Sequence, residues 1–177
     1  MPIAMTPGRA ALCCLMLAAA TPAAGQGGDA AAVTVLDRLE GEWRGAGTIL
    51  GQPAEVEMRW DRALDGAFAR LTWVSRIGTG PAARRFEGHA YYGRTSAGPV
   101  RATWFDSSGL TRPIAARVPA EGDALVAAWG TADTEVGETT YRLESPSSVL
   151  VVDRVRRRDG EWREFGRTRL TRVPSPR

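Results

Sequence analysis

In the stretch Glu55-Val56-Glu57-Met58-Arg59-Trp60, charged and apolar side chains alternate at every step, and this alternation restricts the fold more tightly than any other feature of the chain. Successive side chains of a strand leave opposite faces, so this stretch reads as a half-buried antiparallel strand. Val56, Met58 and Trp60 would face a core, and the charges water. Asp65-Gly66 follows as a tight-turn signal, and residues 67–76 resume the pattern. Further strands are predicted over residues 85–94, 100–107, 111–118, 124–131, 138–144, 149–157 and 162–172, after a first strand from Trp43. Short connectors rich in Gly, Pro, Ser and Asp separate them, so sequence neighbours can pair as a meander. The expected fold is all-β: a single closed or nearly closed antiparallel up-and-down barrel of about ten strands, because closure removes exposed sheet edges.

Ahead of the strands, Thr34-Val35-Leu36-Asp37 predicts a short helix of one or two turns, with Thr34 as the cap and Gly41 as the stop. Val35, Leu36 and Leu39 share one face of it. Residues 26–33, small and Gly/Ala-rich, read as a flexible leader. Residues 1–25 read as a signal peptide, with Arg9 before an apolar stretch from Ala10 to Ala20 and small residues at Ala23-Ala24-Gly25. That stretch is too short to cross a bilayer core, which takes about 20 residues. The expected organisation is therefore a signal peptide over 1–25, a leader over 26–33, a barrel domain over 34–173 and a tail over 174–177. An exported protein, periplasmic or extracellular, follows, with no integral membrane segment after cleavage.

Cys13 and Cys14 are the two cysteines of the chain, so a processed protein would have neither a disulfide nor a thiol nucleophile. Removing Arg9 from the 23 basic residues leaves 22 against 20 acidic ones, a near-neutral balance that argues against a nucleic-acid partner. The basic cluster Arg154 to Arg158, followed by Asp159-Gly160, reads as a solvated hairpin end. Trp43, Trp60, Trp73, Trp104, Trp129 and Trp162 are spread along the chain and suit either an interior or barrel end, where each buries a large apolar area, or a cavity lining that stacks on a flat ligand.

The segment Leu39-Glu40-Gly41-Glu42-Trp43-Arg44-Gly45-Ala46-Gly47 resembles the opening of calycin-type barrels, the group that includes lipocalins, fatty-acid-binding proteins and nitrobindin. Phe86-Glu87-Gly88-His89-Ala90-Tyr91-Tyr92, Trp104-Phe105-Asp106-Ser107-Ser108-Gly109 and Ala128-Trp129-Gly130-Thr131 come next in order. With Trp162-Arg163-Glu164-Phe165 and Thr171-Arg172, they are similar to an exported bacterial family of unknown function, DUF1579. The resemblance covers roughly residues 36–172 and implies a calycin-like barrel. It also implies that an arginine of the last strand, Arg169 or Arg172, lies across the Trp43 ring as a structural contact. Nitrobindin-like barrels hold haem through a histidine near the C-terminus. Residues 163–172 contain none, so no cofactor is expected.

The side chains suited to a site are few. His89, the sole histidine, shares strand parity with Arg85, Glu87 and Tyr91, while Phe86, Gly88, Ala90 and Tyr92 take the other face. An apolar lumen would leave His89 outside; a polar lumen would take in His89 and Tyr91. One imidazole without thiolates is a poor metal site, and none is expected. Asp106 and Arg112 flank the Ser107-Ser108-Gly109 turn, positioned to pair across it or to leave Arg112 for an anionic headgroup. Trp104 shares a face with Asp106. No nucleophile elbow, phosphate loop or metalloprotease motif is present, and no residue is assigned a catalytic role. The expected function is binding of a small apolar or amphipathic molecule in the lumen, with Trp104, Asp106, Arg112, His89 and Tyr91 as candidate contacts. Two rivals are a packed barrel acting through its loops and a hydrolase-type enzyme using His89.

Overall fold

The computed structural model describes residues 26–94, 100–119, 122–131 and 133–174. The expected signal peptide lies outside them. Helix α1 (Gln26–Leu39) leads into ten strands: β1 (Gly41–Ile49), β2 (Gln52–Ala63), β3 (Phe68–Ile77), β4 (Arg84–Gly93), β5 (Val100–Asp106), β6 (Thr111–Arg117), β7 (Ala124–Trp129), β8 (Gly137–Ser145), β9 (Ser148–Arg156) and β10 (Trp162–Arg172). Each strand pairs antiparallel with its sequence neighbours, and β1 pairs with β10 to close the barrel. The closing register sets Trp43 opposite Arg172 and Ile49 opposite Gly166.

Period-two burial follows the sequence pattern. Ala54, Val56, Met58 and Trp60 of β2 point inward, as do Ala69, Leu71 and Trp73 of β3. Ala90 and Tyr92 of β4 are buried with them, and this face of β4 puts His89 and Tyr91 outside.

The helix is longer than the one or two turns expected, and the segment read as a flexible leader belongs to it. Asp29 through Val33 include three consecutive alanines, whose high helix propensity carries the helix back beyond Thr34, which is therefore an interior position rather than the cap. Val35, Leu36 and Leu39 are buried against the barrel end where β5 and β7 begin and β6 finishes.

Trp43 locks that end. Its indole N–H donates to the Leu39 carbonyl at 2.8 Å, and the Arg172 guanidinium lies 4.0 Å from its ring centroid. Arg172 also donates to the carbonyls of Arg38 (2.6 Å), Glu40 and Pro146 (3.0 Å), so one cation satisfies exposed carbonyls of the helix end and of the β8–β9 turn. Of the two arginines expected here, Arg172 takes the place; Arg169 makes a bidentate pair with Glu144 instead, at 2.8 and 2.9 Å. Arg94 pairs with Asp37 and Glu40 of the helix end, holding it down from the β4 side. The Arg154–Arg158 cluster falls on the end of β9 and its turn, mostly exposed.

Candidate functional site

The barrel end opposite α1 is open. A cavity of about 300 Å³ runs from there into the lumen. The exposed Leu50 and Leu110 stand at its mouth, and the rings of Trp73, Phe86, Trp104, Trp129 and Phe165 line it with Ile49, Ile77 and Ile114. Its floor is Tyr92 and Tyr141, packed on Trp60 at ring distances of 5.1 and 5.4 Å. Burial pushes both phenols above their ordinary range, so both keep their protons at neutral pH. Ser75, buried on β3, reaches this wall with no hydrogen-bond partner for its hydroxyl among the described residues.

Three of the five side chains singled out in the sequence meet here. Asp106, at the end of β5, has a side chain only 1% exposed. It accepts from the Trp104 indole N–H (3.0 Å), Arg112 (3.3 Å), the Ser108 N–H (2.9 Å) and the Ser108 hydroxyl. Desolvation alone would raise its pKa, but the Ser108 and Trp104 hydrogen bonds outweigh it and hold the carboxylate below its usual range. Arg112 is thus committed to Asp106, and its guanidinium also rests over Trp129, 5.4 Å from the ring centroid. An anionic headgroup would have to compete with Asp106 for it.

His89 and Tyr91 do not line the cavity, which corrects their candidacy as lumen contacts. The apolar face of β4 turned inward because Phe86, Ala90 and Tyr92 repay burial, leaving the polar face to water. The His89 side chain is 41% exposed, with Nδ1 3.3 Å from the Thr72 hydroxyl and Nε2 3.1 Å from Glu87. Arg85 first, and His89 second, keep Glu87 below the ordinary carboxylate range. No hydrogen bond joins His89 to Ser107 or Ser108 among the described residues; Ser108 serves Asp106, and Ser107 Oγ accepts the Glu87 N–H at 3.2 Å.

A second polar chain went unread in the sequence. The Trp129 indole N–H donates to Thr139 Oγ1 at 3.2 Å, and that hydroxyl donates to Asp153 at 2.7 Å. Asp153 lies on β9 opposite a bulge in β10 between Glu164 and Gly166. At Gly166 a Cβ would fall 2.7 Å from Asp153 Oδ2, so the bare backbone makes room for the carboxylate. Burial raises the Asp153 pKa to about 6 despite the Thr139 hydrogen bond, with the neighbouring Glu164 charge adding to the rise. Parity groups Val149, Val151 and Asp153 on one face of β9, but Leu150 and Val152 make the other face apolar too, so the sequence does not say which side turns inward.

Bare backbone also admits two of the tryptophans. A Cβ on Gly88 would meet the Trp104 ring at 1.9 Å, and one on Gly137 would meet the Trp129 ring at 1.9 Å. Each indole therefore lies flat across a neighbouring strand. Gly137→Ala is expected to swing Trp129 off Thr139 and cost about 1–3 kcal/mol, the usual range for overpacking. A denaturant titration with near-UV circular dichroism checks this; an unchanged midpoint and aromatic spectrum would show that the ring is not held there.

The fold and site together define a closed ten-strand antiparallel up-and-down barrel with an open, aromatic-lined lumen. Among solved structures, the S-type phycobiliprotein lyase CPES from Guillardia theta shares this fold, with a TM-score of 0.52 and 12% sequence identity. The match covers 81% of this chain and 93% of that one. No family model and no curated protein matches the chain.

Proposed function

We propose that this barrel binds one small, largely apolar molecule in its lumen and acts outside the cytoplasm after export. The observation that carries the reading is the cavity of about 300 Å³, walled by aromatic rings and open at one end, with hydrogen-bonding side chains set into the wall. Ligand sites are typically concave and mostly apolar, with a few fixed polar groups, and open barrel ends are a usual place for them. A barrel packed solid with its own side chains would leave no such volume, so the cavity favours binding over the packed-barrel rival. Membership of the DUF1579 group and export belong to the same proposal. Their support is the ordered motifs and the composition of residues 1–25.

Titration with the neutral dye N-phenyl-1-naphthylamine tests the binding reading. Saturable, blue-shifted emission at one equivalent, with micromolar affinity and quenching of tryptophan fluorescence, is expected, because tryptophans form the cavity wall. Absence of saturable binding, or binding that leaves tryptophan emission untouched, would return the packed-barrel reading to first place.

A further inference from the structure

Two carboxylates are set into the lumen wall, and their surroundings differ. Asp106 has a cation, Arg112, and a ring of hydrogen bonds. Asp153 accepts a single hydrogen bond, from Thr139 to Oδ1, and no arginine pairs with it among the described residues. Its other oxygen faces the bare backbone of Gly166, with Phe165 and Trp129 meeting edge to face beside it at 6.4 Å. A third carboxylate, Glu135, is exposed at the mouth. The charged cavity residues are thus Asp106, Glu135 and Asp153 against Arg112 alone.

A desolvated carboxylate without a cation is costly, and an asparagine or a serine would serve Thr139 without that cost. Instead the chain bends a neighbouring strand with a bulge and sets a glycine opposite to accommodate the acid. What Asp153 lacks is a positive hydrogen-bond donor, and the aromatic rings around it favour a cation as well. We infer that the ligand carries a cationic end, a protonated amine on an apolar body, and that Asp153 receives it. This inference rests on the lumen-binding reading and names the class of ligand for it. An acid would face three carboxylates, with its one available cation already engaged by Asp106.

The test is displacement of N-phenyl-1-naphthylamine from the full chain by three molecules of one shape: 4-phenylbutylamine, 4-phenylbutan-1-ol and 4-phenylbutyrate. At pH 7.5 the amine is expected to displace the dye about tenfold more tightly than the alcohol, equivalent to roughly 1.4 kcal/mol, with the acid weakest. The preference should shrink toward pH 5 as Asp153 takes up its proton. The other groups facing Asp153 are Glu164 from β10, Tyr141 from β8 and Tyr92 across the lumen; the two phenols keep their protons throughout this range. Asp153→Asn should bring the amine-to-alcohol ratio to about one. Dye that never binds overturns the lumen reading and this inference together. Dye displaced equally by all three leaves the lumen reading standing and overturns this one, as does an acid that binds best or an amine preference that survives in Asp153→Asn. If that variant does not fold, the pH arm on the parent protein decides, and an amine preference equal at pH 5 and 7.5 overturns the inference.

Discussion

Trp43→Ala should destabilise the barrel by about 3–5 kcal/mol, the range for truncating a fully buried aromatic side chain. The ring is completely buried, and three separate elements depend on it. Leu39 at the end of α1 loses the indole N–H, Arg172 of β10 loses the face it stacks on, and β1 loses the buried side chain at its closing pair, whose backbone pairing survives. A denaturant titration should show the midpoint falling while the slope holds, and the melting temperature should drop by on the order of 10 °C. A variant melting within a degree or two of the parent would show that the helix end, and not Trp43, closes the barrel.

Asp153→Asn is expected to raise stability at neutral pH, by about 2–3 kcal/mol. The folded protein holds the Asp153 proton more tightly than the unfolded chain does, since its pKa rises from 3.8 to about 6. A raised carboxylate contributes its full stability below the unfolded value and loses it as pH climbs from about 4 to 6, after which the loss is constant. Every tenfold gain in proton affinity corresponds to about 1.4 kcal/mol. Asparagine keeps an acceptor for the Thr139 hydroxyl and carries no charge at any pH. Urea midpoints of parent and variant should therefore nearly coincide at pH 4 and separate by pH 7.5. If the variant is the weaker at both pH values, Asp153 is a structural group and its burial has no cost to relieve. A gain would fit the common pattern in which binding sites are kept at the expense of stability.

The barrel was legible wherever alternation was clean. The stretch 55–60 lies within β2, and the turn at Asp65-Gly66 stands where β2 hands over to β3. The Asp106–Arg112 pair was legible because both partners flank one tight turn, so local geometry alone brings them together. Asp153 was hidden for a physical reason. Val149, Leu150, Val151 and Val152 are apolar on both faces of β9, so no alternation marks which way the next residue points. Its surroundings also depend on the β10 bulge, whose one local sign, Gly166 within the strand, does not say which residue of β9 lies opposite it. The early start of α1 was missed because Gly27-Gly28 outweighed the three alanines that follow. His89 could be placed only once the strand's apolar face had chosen its side.

The pairing of the first strand with the last also sets an order in time. Every other strand pair joins sequence neighbours and can zip as a hairpin within about 1–10 μs. The β1–β10 closure is different: the Arg172 hydrogen bond to Glu40 alone spans 132 residues, and loop-closure entropy opposes it until the rest is in place. Closure of the lumen is therefore expected late in folding and early in unfolding. A molecule held inside acts as a latch on that closure. At a free concentration one hundred times its Kd it would add about 2.7 kcal/mol against unzipping. A loaded barrel should thus be the longer-lived one, with its lifetime set by how quickly its occupant leaves through the open end.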